Sequence, residues 1–126
     1  MDDVHVFRPV EMVFVDPARL FQLARERGIP QAEFIAGVAL EEIAERLRAA
    51  EAAFLAGERA RLGKITRMIV GLAEELGLET LSTVARHVTE AADLQDPAAL
   101  SALVARLKRV GEHSLSAVGD LGHLRL

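Results

Sequence analysis

Residues 65–81 read I-T-R-M-I-V-G-L-A-E-E-L-G-L-E-T-L, from Ile65 to Leu81. At about 100° per residue, Leu62, Ile65, Ile69, Leu72, Ala73 and Leu76 fall within about 60° of one direction. Lys64, Arg67, Gly71 and Glu74 point the opposite way. The stretch is therefore an amphipathic helix, expected from about Glu58 to Leu76. Gly77 supplies the left-handed stop, and Leu78–Leu81 begins the next helix. A helix with one apolar stripe must bury it against other elements, so the rest of the chain is read for partners.

Downstream, a fourth helix is expected from about Glu79 to Leu94, with Leu81, Val84, Val88 and Ala91 inward. Asp96-Pro97 then gives a start signal, an N-cap acid followed by a proline that loses no helical bond. The last helix runs to about Val118 on Leu100, Leu103, Val104, Leu107, Val110 and Leu115. Upstream, Asp16-Pro17 starts a short helix ending near Arg27, with Leu20, Leu23 and Ala24 on one face. Gly28 stops it and Pro30 blocks continuation. The second helix runs from about Gln31 to Ala56. Its first turns, Phe34–Leu40, are apolar all round, which predicts burial on more than one side. Farther along, Leu40, Ile43, Leu47, Ala50 and Phe54 keep a single stripe. Residues 1–15, with Val4, Val6, Val10, Met12, Val13, Phe14 and Val15 interrupted by Pro9, read as an extended arm with no strand to pair with. They lie on the domain or form a contact between two copies. Residues 119–126 read as a fraying tail, although Leu121, Leu124 and Leu126 are able to dock.

Loops of a few residues make consecutive helices antiparallel neighbours. The expected fold is all-α: an antiparallel up-down four-helix bundle with a short extra N-terminal helix, occupying residues 16–118. At 126 residues the chain suits one domain and buries about two-thirds of its unfolded surface. With five Phe and no Trp or Tyr, the core must be aliphatic. The absence of cysteine excludes thiol catalysis, disulfides and thiolate metal sites. A net charge of -4 argues against nucleic acid as a general partner. The longest apolar run, Phe34–Leu40, is far short of the roughly 20 residues that span a bilayer. No basic region opens the chain as a secretory signal does. The expectation is a cytoplasmic protein with no membrane partner and no cofactor.

The arrangement resembles the histidine-phosphotransfer (Hpt) domain of bacterial phosphorelays over about residues 14–118. Three stretches carry the likeness: F-V-D-P-A-R-L-F-Q-L (14–23), G-L-A-E-E-L-G-L-E-T-L-S-T-V-A-R (71–86) and D-P-A-A-L-S-A-L-V-A-R-L (96–107). The family's motif reads His-x-Leu-Lys-Gly, with a second glycine six residues on. With Gly71 and Gly77 on those glycines, Ile69 falls on the buried leucine, Arg67 on the phosphorylated histidine and Val70 on the lysine. The resemblance implies a two-component signalling module that binds a receiver domain or a histidine kinase.

Chemistry separates binding from phosphotransfer. Imidazole has a lone pair to accept a phosphoryl group near neutral pH. A guanidinium stays protonated and has none. The expected activity is therefore non-enzymatic protein binding through Lys64, Arg67, Met68, Val70, Gly71 and Glu74. Gly71 leaves clearance one turn beyond Arg67. Arg59, Arg61, Lys64 and Arg67 make the first half of this helix basic, a complement to an acidic receiver pocket. Among the histidines, His5, His87, His113 and His123, only His87 is a substitute phosphoacceptor, placed at the edge of the fourth helix's buried stripe. No two histidines stand three or four apart, so no helical metal pair is expected. A third reading is a structural or dimerisation bundle using the N-terminal arm.

Overall fold

The computed structural model describes residues 12–122. Within them the chain forms five helices and no strand: α1 (Ala18–Arg27), α2 (Ile29–Leu55), α3 (Arg59–Leu76), α4 (Glu79–Leu94) and α5 (Pro97–Gly122). α2 packs on α3, α3 on α4, α4 on α5, and α5 returns to α2. The ring closes without diagonal contacts, and α1 lies outside it against α2 and α3. Ile43, Leu62, Ile69, Leu76, Leu81, Val84, Val88, Leu107 and Val110 fill the centre with almost no exposure. Each such burial contributes about 1.5–3 kcal/mol. The core is aliphatic, as the shortage of aromatics requires.

The boundaries follow local chemistry. Asp96 Oδ1 accepts a hydrogen bond from the Ala99 N–H at 3.1 Å, capping α5. Asp16 Oδ1 accepts from the Ala18 N–H at 3.0 Å at the start of α1. Pro30 does not separate helices as the sequence reading expected. It lies in the first turn of α2, where a missing N–H costs no helical bond. Only Gly28 divides α1 from α2. α5 continues through Gly119 to Gly122, past the expected end at Val118. An interior glycine costs about 1 kcal/mol relative to alanine and does not forbid a helix. Residues 123–126 lie outside the described ones.

One expectation about burial needs correction. Phe34–Leu40 is not buried on several sides: Phe34 is 67% and Val38 50% exposed. Phe34 and Val38 lie on the side of α2 opposite the buried Ile43, while Ile35 and Ala39 of the same turns border a groove with α1 and α3. There α1 and the end of α5 cover one side, where Leu20 and Val118 line a groove with Ala32 and Ala36. In α3, Gly63 and Thr66 are buried although their types hid it. Thr66 Oγ1 lies 3.0 Å from the Leu62 carbonyl and 2.7 Å from Thr89 Oγ1 of α4. This mutual pairing satisfies two hydroxyls where water is excluded.

The arm does find a partner. Residues 1–11 lie outside the described ones, but Val13 and Val15 pack against the core while Met12 and Phe14 face outward. Val15 makes an isolated antiparallel bridge with Leu78. The Asp16 N–H donates to the Gly77 carbonyl at 2.8 Å, and the Glu79 N–H donates to the Phe14 carbonyl at 3.2 Å. The Phe14 N–H donates to Thr80 Oγ1 at 2.7 Å. The first N–H groups of a helix have no internal partner. The arm's carbonyl supplies one, which the sequence reading did not foresee.

Gly77 is the hinge of this assembly. Its φ is +74°, and a Cβ there would collide with the Asp16 carbonyl oxygen. Gly77→Ala is expected to destabilise the protein by about 2–4 kcal/mol, combining left-handed strain with loss of the arm's docking. Urea denaturation of the variant reads this directly. A loss below about 0.5 kcal/mol would show that the arm contributes nothing.

Candidate functional site

The outward face of α3 gathers the residues singled out in the sequence. Lys64, Arg67, Gly71 and Glu74 recur at intervals of three and four, and all four are exposed. Met68, 48% exposed, borders this stripe on one side. Val70 borders it on the other, half-buried and packed against the core. Val70 lies on the α4 flank, the side of the Thr66–Thr89 and Glu74–Arg86 contacts. Six residues thus form one strip nearly three turns long, with apolar edges and a polar centre.

Charge along the strip is uneven. Arg86 Nη2 lies 3.4 Å from Glu74 Oε2, both side chains about half exposed. Such a pair contributes little stability but holds the acid toward α4. Arg61 is matched with Glu58 at 3.4 Å. Among the described residues no ion pair involves Lys64 or Arg67. The basic run is not a single patch, however. At 100° per residue Arg59 and Arg61 turn to opposite flanks, and Arg59 is half-buried beside a groove with Phe54 and Pro97. Only Lys64 and Arg67 present positive charge on the outward face.

Gly71 has no protein atom within 4 Å of where a Cβ would stand. Nothing inside the fold requires glycine there. Its bare surface borders an open groove of about 470 Å³ between α1, α2 and α3. Arg19, Gln22 and Leu23 of α1 and Ile35 of α2 form the other walls. Arg19 and Glu74 also line a second groove of about 410 Å³ that reaches Gly77 and Ser82. These α1 residues were absent from the sequence-derived site. The signal was present as Arg19, Gln22 and Glu26, spaced three and four apart on α1, but a surface stripe does not reveal which helix it stands beside.

His87 does not belong to this face. It is exposed on α4, beside the buried Val88 and Ala91. Thr89, which touches α3, points about 200° around the helix from it. His113 is half-buried in α5, and His5 and His123 lie outside the described residues. Among the described residues no three His, Asp or Glu side chains gather as a metal ligand set, and no helix is long and apolar enough to cross a membrane. Compared with known protein families, with characterised proteins and with solved structures, the chain matches none.

Because Gly71 is exposed and unconstrained, Gly71→Ala is expected to raise stability by about 0.5–1 kcal/mol through helix propensity. Urea denaturation checks this. Destabilisation would show that the glycine is needed inside the fold.

Proposed function

We propose that this chain is a non-enzymatic two-component signalling module, a bacterial cytoplasmic pseudo-phosphotransfer domain. On this reading it binds a receiver or histidine kinase domain through α3 without carrying phosphate. The observation that carries the proposal is the open surface at Gly71, one turn from the guanidinium of Arg67, which has no ion pair among the described residues. Glycine on an exposed helix face costs stability and packs against nothing within the chain, so a close approach by another backbone is its best physical reason. Arg67 and Lys64 supply charge that complements an acidic receiver pocket, while Met68 and Val70 add apolar rims.

The antiparallel up-down order that this family resemblance entails is supported by two contacts. Thr66, early in α3, meets Thr89, late in α4. Glu74, late in α3, meets Arg86, nearer the start of α4. In such a bundle the outward face of α3 is a straight, rigid platform. The absent imidazole removes the nucleophile, and Val70 removes the cation that would neutralise a phosphoryl group. What remains is recognition.

Titration of the chain with receiver domains encoded near its gene tests this by calorimetry. Binding is expected, with Arg67→Glu raising Kd at least about tenfold and Gly71→Gln weakening it by blocking approach. No binding to any such receiver or kinase, or binding indifferent to both changes, would contradict the proposal. A second reading rests on the exposure of His87: an active phosphotransfer protein using that imidazole. Acid-labile, base-stable label acquired from a phosphorylated receiver and lost in His87→Gln would favour it instead.

A further inference from the structure

The outward face of α2 holds a pattern that the α3 site does not use. Phe34, Val38, Glu41, Arg48, Ala52 and Leu55 all lie within about 60° of the direction opposite the buried Ile43. Every one is exposed, with Phe34 at 67%, Val38 at 50% and Leu55 at 77%. One flank of α2 faces α1 and α3, where Ile35 and Ala39 line their shared groove. The other flank faces α5, where Leu47 and Glu51 meet Lys108 and Leu115. The face between is covered by no described element, with Arg48 at its edge bordering the α5 groove beside Glu112.

With Glu45 included, the spacing is 34, 38, 41, 45, 48, 52, 55, alternating four and three. That alternation keeps a stripe aligned along a second helix over its whole length, here about 32 Å. The ends of the stripe are apolar and its middle is charged. Reversed onto itself, with paired residue numbers adding to 89 or 90, Phe34 meets the partner's Leu55, Val38 meets the partner's Ala52 and Glu41 meets the partner's Arg48. A two-fold axis makes each contact twice. Side by side in parallel, the same face would set Glu41, Glu45 and Arg48 each against its own copy, placing like charges together. Charge therefore selects the reversed arrangement. Among the described residues neither Glu41 nor Arg48 is in an ion pair: the ion pairs on α2 are Glu42–Arg46 and Glu51–Lys108.

We propose that this face is a homodimer interface, in which two copies of α2 pack antiparallel about an axis near Ala44 and Glu45. The two Glu45 side chains straddle the axis and oppose each other, which keeps the dimer weak and fixes its register. The pairing leaves Lys64, Arg67 and Gly71 uncovered, so it is independent of partner binding by α3.

Sedimentation equilibrium of the full chain tests the proposal, with circular dichroism confirming that each variant is folded. The wild type is expected to dimerise with a Kd in the micromolar range. Arg48→Glu or Glu41→Arg alone is expected to weaken the dimer at least about tenfold. The two together restore it to within about threefold, because the pair is rebuilt with its charges exchanged. Glu45→Gln is expected to tighten it several-fold. A monomer up to about 1 mM would overturn the proposal, leaving the face bare or covered by the chain's own terminal residues. A dimer unmoved by Arg48→Glu would also overturn it and place the interface elsewhere, such as the N-terminal arm. Failure of the exchanged pair to restore association would overturn the charge pairing.

Discussion

Much of this fold hangs on the two-residue connection Gly77-Leu78. Gly77 turns left-handed, which closes α3 and starts α4 within two residues. The turn exposes its own carbonyl to the Asp16 N–H and leaves the first N–H groups of α4 facing the Phe14 carbonyl. Leu78, fully buried, anchors the turn in the core. The chain's path before α1 is thus tied to the end of the α3–α4 hairpin. Once Asp16 is fixed there, α1 starts from that point and runs over α2. The groove beside Gly71 exists because α1 is held in that place.

What the sequence made legible follows from period and punctuation. The 3.6-residue stripe of α3 placed Leu62, Ile65, Ile69, Leu72, Ala73 and Leu76 inward; Leu72 is half-buried and the other five are buried. Asp-Pro and glycine set helix ends to within a few residues. Relations across space were not legible. Thr66 reads as a neutral residue on a helix flank, yet it is fully buried, because Thr89 arrives with a matching hydroxyl. Phe34 and Val38 read as core by type, but they stand on the side of α2 opposite the buried Ile43. The arm read as having no strand to pair with, and its partner is not a strand but the Gly77–Thr80 segment that starts α4.

The candidate site divides the same way. Lys64, Arg67, Gly71 and Glu74 share a face because their spacing requires it, so that much was readable. Arg59 and Arg61 seemed part of the same positive patch through proximity in sequence, and the helical turn separates them. Arg19 joined the site only through α1's position. On the proposed reading, Arg67 stands in the histidine's place and leaves a surface suited to contact and unsuited to covalent phosphate. α2 offers a second free face of a different character, with apolar ends and self-complementary charge. The two proposals assign one surface to a different protein and a separate one to the chain's own copy.

The central claim is that the outward face of α3 is where a signalling partner binds. Amide chemical-shift mapping of the isotopically labelled chain, titrated with an unlabelled receiver domain encoded near its gene, tests it most directly. The account predicts perturbations concentrated at Lys64, Arg67, Met68, Val70, Gly71 and Glu74, with weaker ones at Arg19 and Gln22. Perturbations confined to α2, or to residues 12–16, or an unchanged spectrum at saturating receiver, would contradict it.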